Sequence, residues 1–246
     1  MPFLDGNWQP TREEAVSIQR CLAPSVQIRP LPRPPRNIAG ADVAYLRNEA
    51  CCFAATVVLD VVTGELLDQA VVQHPEPYPY VSGLFAFREV PPLLHAFSKL
   101  REVPDLVFAD GHGILHPRGI GLASHLGILL DIPTVGCAKG PPLRKSGFKD
   151  LPRGKRGTYH PFTLTGGRLA GALLHTRDFH NPLCISPGHK ITLTESIHWT
   201  LETTGRYRIP EPLRRAHQLA TNARRASQGE RSKVKGEKTS PPRKKQ

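Results

Sequence analysis

The sequence predicts an α/β protein with a central mixed sheet flanked by helices, and three observations carry that prediction. Three strand-like apolar runs follow one another between residues 38 and 73, joined by RNEA and VTG, connections short enough for antiparallel neighbours. Beyond them, short apolar runs alternate with segments of helical period, a succession that implies parallel crossovers. With 39% hydrophobic residues, the 246-residue chain has the material for a core, in one large or two small domains.

The elements follow in order. Residues 1–36 form an N-terminal section, a helix and then the extended Pro-rich lead-in RPLPRPPR (29–36), and the fold proper spans 37–223. IAGADVAYL (38–46), CCFAATVVLD (51–60) and ELLDQAVVQ (65–73) read as strands. LFAFREVPPLLHAFSKLR has the spacing of an amphipathic helix, in which Pro91 and Pro92 either make a kink or occupy the first turn. DLVFAD is a strand, GIGLASHLGILLD a helix and IPTVGCAKG a strand. LAGALLHTR and LCISPG continue the sheet, and ITLTESIHWTLETT and EPLRRAHQLATNARRA close the fold as helices, the last with Pro212 near its start.

Composition narrows the setting. No stretch approaches the roughly 18 continuous apolar residues of a membrane span, and MPFLDGNWQP has neither the basic start nor the apolar run of a secretory signal. Five cysteines without a CxxC spacing argue against a disulfide framework and against a cysteine zinc site. A soluble cytoplasmic monomer with no membrane partner is expected. Of the net charge of +12, the segment from Arg224 to Gln246 carries +7, nine Lys or Arg against Glu230 and Glu237. Residues 224–246 therefore read as a basic, disordered tail, either solubilising or attracted to phosphates.

The chemistry begins with LVFADGHGILHPRG (106–119), an apolar run that ends on Asp110. In open α/β sheets ligands gather outside strand ends. Asp110 either meets a metal or substrate there, or caps a turn in which Gly111 and Gly113 supply positive φ angles. Asp42 interrupts the first strand, where a lone buried carboxylate is costly unless paired or bound to metal. Glu89 lies in the helical stretch FAFREVP. A first-strand Asp, a Glu from the intervening helix and a fourth-strand Asp form the layout with which ribonuclease H-like nucleases hold divalent ions over a sheet. His112 and His116 have HxxxH spacing, but Gly113 and Pro117 oppose the helix that would make them a zinc pair.

Five blocks then carry a resemblance: AGADVAY around Asp42, PYVSGLFAFRE from Pro79 to Glu89, LVFADGHGILHPRGIGLASHLGILLDIPTVGCAK from Leu106 to Lys139, LCISPGH from Leu183 to His189, and RIPEPLRRAH from Arg208 to His217. Together, from about Ile38 to His217, they resemble the endonuclease V family of inosine-directed nucleases. The resemblance implies a ribonuclease H-like fold and a DNA-repair endonuclease that hydrolyses the second phosphodiester bond 3′ of deoxyinosine, leaving a 3′-hydroxyl and a 5′-phosphate. Mg²⁺ is the implied cofactor, with Mn²⁺ able to substitute. DNA containing deoxyinosine is the expected partner; the alternative is an endoribonuclease acting on inosine in single-stranded RNA. PYVSG and FREVP look like the family's animal branch, and DGHG with HPRG like its bacterial branch.

By the same resemblance Asp42, Glu89 and Asp110 hold the metal, and Lys139, His116 and His217 complete the catalytic set, His217 standing where the family has His or Asp. Lys139 can hold a phosphate or the attacking water, and His116 is expected to face the phosphates. Pro79, Tyr80, Val81 and Ser82 take the place of a strand-separating wedge, with Ser82 in place of the bacterial proline. Gly83, Gly111, Gly113 and Gly136 are expected to line a hypoxanthine pocket. After Lys139, GPPLRKSGF departs from the family pattern, which bears on Leu143 as a pocket wall. Two rivals are a protein that reads inosine without cutting and a zinc hydrolase built on His112 and His116.

Overall fold

The computed structural model describes residues 9–46, 51–75, 78–140, 153–163, 167 and 169–238. The chain opens with helix α1 (Arg12–Leu22), started by a capping box in which the Thr11 hydroxyl accepts from the Glu14 N–H and Glu14 returns to the Thr11 N–H. Strands β1 (Asn37–Tyr45), β2 (Cys51–Asp60) and β3 (Leu66–Pro75) form an antiparallel meander. Helix α2 (Phe85–Phe97), strand β4 (Leu106–Ala109), helix α3 (Leu122–Leu130) and strand β5 (Thr134–Ala138) make the parallel part. Strands β6 (Tyr159–Thr163), β7 (Leu169–Leu174) and β8 (Leu183–His189) and helices α4 (Leu193–Glu202) and α5 (Glu211–Lys238) follow. The strands form one mixed sheet in the order β3-β2-β1-β4-β5-β8-β7-β6.

Period-two alternation splits the core between the two faces. Ala39, Ala41, Val107 and Ala109 pack with α2 and α3, while Ile38, Leu106, Phe108, Val135 and Cys137 pack with residues of α4 and α5. Small residues on β1 allow close approach of a helix. At Gly40 a Cβ would lie 2.2 Å from the carbonyl carbon and oxygen of Pro212 and 2.3 Å from the Leu213 nitrogen, so α5 begins directly on the strand backbone. Asp42 shares that face, two residues along.

Three expectations change. Pro91 and Pro92 lie inside α2 beyond its first turn. β6 is an added edge strand that the sequence reading leaves out, because Pro161 and a mostly exposed pattern hide it. The chain from Arg224 to Lys238 continues α5 instead of forming a disordered arm, since Ala, Arg, Lys, Gln and Glu favour helix and no proline intervenes before Pro241. RNEA and Leu143 lie outside the described residues. Among the described residues no helix is long and apolar enough to cross a membrane.

Candidate active site

The ends of β1, β4 and β5, together with α2 and α5, surround a cavity of about 630 Å³. β4 stops at Ala109, and the N–H of Asp110 donates to the carbonyl of Ala41 at 3.3 Å, which sets Asp110 beside the β1 segment that carries Asp42. Lys139 follows β5, and its Nζ donates to Asp110 Oδ2 at 2.9 Å. α5 presents His217, whose Nδ1 lies 2.6 Å from Asp42 Oδ2. From α2 comes Glu89, buried, accepting a 3.1 Å hydrogen bond from the Tyr45 hydroxyl. All six side chains of the expected catalytic set, His116 included, therefore line one space.

The electrostatics are those of crowded negative charge. Burial, then repulsion from Asp42 and Asp110, holds the Glu89 carboxyl well above the usual carboxylate range. Burial and Asp42 also raise Asp110, against the pull of Lys139. Burial alone would lower the Lys139 ammonium, yet Asp110 reverses this and its net shift is upward. The hydrogen bond to Asp42 raises His217. Tyr45, pushed upward by burial and by Glu89, stays a proton donor to that carboxyl. Among the described residues no three Asp, Glu, His or Cys side chains form a ready-made ion site. Asp42 is turned to His217 and Asp110 to Lys139.

His116 lines the same cavity with both ring nitrogens engaged by the protein. Its Nε2 lies 3.1 Å from the Gly83 carbonyl, and its Nδ1 accepts the Arg118 N–H at 3.2 Å. One neutral tautomer satisfies both contacts, and burial followed by Arg118 pushes its pKa down to about 4. His116 thus fixes the segment after the wedge residues and offers no free nitrogen to a phosphate. Two residues that the sequence reading missed join it. Arg118 Nη2 donates to the same carbonyl at 2.6 Å, and Gln19 of α1, 1% exposed, donates from Nε2 at 3.1 Å while its Oε1 accepts from Arg118 Nε. Three donors converge on Gly83, whose φ of 78° is in the glycine-favoured region. No sequence spacing signals such a clamp, because Gln19 and Gly83 lie 64 residues apart.

Of the wedge residues, Ser82 and Tyr80 border the cavity, with Tyr80 71% exposed, whereas Val81 leans on the core and Pro79 is exposed away from the lining. Gly83 and Gly111 line the cavity. Gly113 and Gly136 do not: a Cβ on Gly113 would lie 2.0 Å from the Pro187 oxygen, and one on Gly136 2.4 Å from the Gly113 nitrogen. These two glycines let the loop after β4 lie against β5 and β8, behind the site. His112 lines the cavity from a loop, not from a zinc-binding helix, and burial takes its pKa down to about 4.

Comparison with known proteins bears on family and fold. The family model described as Endonuclease V matches residues 20–218. The endonuclease V of Rhodospirillum centenum is 42% identical over 234 residues, covering 92% of this chain and 95% of its own. The crystal structure of endonuclease V from Streptomyces avermitilis superposes with a TM-score of 0.81 at 38% identity, covering 90% of this chain and 96% of that one. Endonuclease V of Ciona intestinalis, in complex with a 23mer DNA containing an inosine followed by a ribo-adenosine, shares the fold with a TM-score of 0.76 at 24% identity, covering 88% of this chain and 99% of its own. The eight-stranded mixed sheet with its flanking helices is ribonuclease H-like.

Proposed function

The chain belongs to the endonuclease V family of nucleases, and from that premise we propose that it is a metal-dependent endonuclease that recognises deoxyinosine in DNA. It hydrolyses the second phosphodiester bond on the 3′ side, leaving a 3′-hydroxyl and a 5′-phosphate, as a step of DNA repair. The observation that carries this reading is the convergence of Asp42, Glu89 and Asp110 on one cavity, beside Lys139 and His217.

The donor set fits a hard divalent cation, Mg²⁺ first and Mn²⁺ in its place, because all three ligands are carboxylate oxygens. The raised pKa values of Glu89 and Asp110 point the same way, since their crowded charge is what a dication would relieve. When bound, the cation supplies a more acidic water and a polarised phosphate. The remaining work falls to side chains. Lys139 brings a point charge for a phosphate oxygen. His217 holds a proton against Asp42 and keeps a half-exposed ring at the cavity. Tyr45 fixes the orientation of Glu89.

Base reading uses the part of the cavity wall formed by Tyr80, Ser82, Gly83 and Gly111. Hypoxanthine lacks the exocyclic amine of guanine and pairs weakly, which lowers the few kcal/mol that extrusion of a base requires. Gly83 and Gly111 form part of the wall, and exposed Tyr80 is free to enter the gap in the stack. The Gln19, His116 and Arg118 clamp on Gly83 holds that wedge at a fixed height. The test is cleavage of matched oligonucleotides carrying one deoxyinosine or one inosine, single- and double-stranded, with products sized. Mg²⁺-dependent cutting of the deoxyinosine strand one nucleotide beyond the base is expected. Preference for inosine in single-stranded RNA would replace DNA as the substrate, and a need for zinc would overturn the carboxylate site.

A further inference from the structure

Beyond Lys139 and His217 a second, smaller hollow of about 60 Å³ adjoins the site. Asp110, Lys139 and His217 belong to both spaces, and the far walls of the smaller one are apolar: Leu183, Ile209 and Leu213. Two residues before Ile209 stands Tyr207, 49% exposed, with the Arg214 guanidinium 4.6 Å from its ring centroid. That guanidinium is locked in place. It donates twice to Glu211, at 2.7 Å each, and to Gln218 at 2.8 Å. The segment bearing Tyr207 is pinned as well, because Arg208 donates to the carbonyl of Asn181 at 3.0 Å and its own carbonyl accepts from the Thr176 hydroxyl at 2.7 Å. Arg214 lies one helical turn before His217 on α5.

We propose that Tyr207, backed by Arg214, is a stacking platform for a base of the substrate strand on the 3′ side of the cut. The inference rests on the function proposed above. Tyr80, Ser82, Gly83 and Gly111 line the main cavity alone, whereas Asp110, Lys139 and His217 line the hollow as well. A strand whose inosine sits at the first four residues and whose cut bond sits at the carboxylates leaves past Lys139 and His217, toward Ile209 and Tyr207. A tyrosine ring held rigid by a fixed cation loses little freedom when a base stacks on it, and such stacking tolerates any base.

The test pairs deletion of the ring with deletion of the base. Full-length wild-type, Tyr207→Ala and Tyr207→Phe proteins are assayed on single-stranded DNA carrying one deoxyinosine, intact or with an abasic site at each of the first three positions 3′ of the cut. At one position the abasic site should raise the wild-type KM by about 5- to 10-fold, the low end for one base–aromatic stack. Tyr207→Ala should show that same rise on the intact strand, no further rise on the abasic one, and an unchanged kcat. Tyr207→Phe should behave as wild type. If the wild type cuts and the effects of removing ring and base simply add at every position, or neither removal has an effect, the platform is refuted. A wild type that leaves every deoxyinosine strand uncut overturns the proposed function and the platform with it.

Discussion

Replacing Gly40 by alanine should disable the site without altering any polar group. The new Cβ would stand 2.2 Å from the Pro212 carbonyl, and reaching an ordinary 3.4 Å contact requires about 1.2 Å of retreat by backbone, which no rotamer change can supply. β1 is held on both sides, by β2 and by β4, so the start of α5 is the part that gives way. His217 lies five residues after Pro212 on that helix, and its 2.6 Å contact with Asp42 does not survive a shift of this size. Overpacking of this kind costs about 1–3 kcal/mol of stability, while a misplacement of about 1 Å at a catalytic group costs on the order of 100-fold in rate. The Gly40→Ala protein is therefore expected to remain folded, with a lowered Tm and cleavage of a deoxyinosine strand reduced about 100-fold. Gly205→Ala is the control, because a Cβ there meets nothing within 4 Å. Thermal melts and single-turnover cleavage of both variants decide the matter; a Gly40→Ala enzyme within twofold of wild type would refute the coupling of β1 to α5.

Further outcomes are expected. Asp42→Ala and Asp110→Ala should lower Mg²⁺-dependent cutting beyond the roughly 10- to 100-fold typical when only a residue supporting a metal ligand is removed, with binding to deoxyinosine strands retained in a gel-shift assay; Glu89→Ala should follow them. In metal-free protein, Tm should fall as pH rises above about 7.5, where buried His112, His116 and His125 are largely neutral in both folded and unfolded chains. His217 has a folded pKa above 6.5, so its contribution is complete below that pH and lost as pH rises through the folded value. His217→Ala should flatten the slope, and a Tm that rises with pH over this range in the wild type would contradict the assignment. Arg118→Ala removes a charged donor from Gly83 and from Gln19, and should cost about 1–3 kcal/mol in denaturant melts while reducing the ratio of deoxyinosine to control cleavage. Truncation from Arg224 should weaken binding to any strand and flatten the slope of log affinity against log salt by roughly 0.7 to 0.9 for each phosphate no longer neutralised, leaving cleavage at saturating substrate unchanged.

How much of this could be read from the chain depended on the kind of signal. Asp42 and Asp110 stood out because a carboxylate in or after an apolar run is physically conspicuous, and the structure places both at one cavity. Glu89 drew notice only through its place in the topology between Asp42 and Asp110, and Lys139 and His217 were ordinary polar residues until the family resemblance assigned them, since nothing local shows which side chains a fold will bring together. Glycines were read correctly as points of close approach but not for what approaches. At Gly83 it is the Arg118 side chain, at Gly111 Leu122, and at Gly113 and Gly136 other backbone. His116 looked free because its long-range partner, the Gly83 carbonyl, is set by tertiary structure. In the tail, composition argued for disorder while helix propensity continued α5.

The pairing of His217 with Asp42 joins groups 175 residues apart, through a helix that seats on the bare backbone of Gly40. During synthesis the three carboxylates emerge long before α5, so a growing chain carries the acidic cluster without the helix that closes it. A long-range contact of this kind forms late. Nuclease competence then arrives only once α5 has been made, and a ribosome-held product ending before Glu211 should leave neighbouring nucleic acid intact. An arrested chain of that length, assayed for cutting of a deoxyinosine strand, would reveal whether the closing helix also serves as a timer.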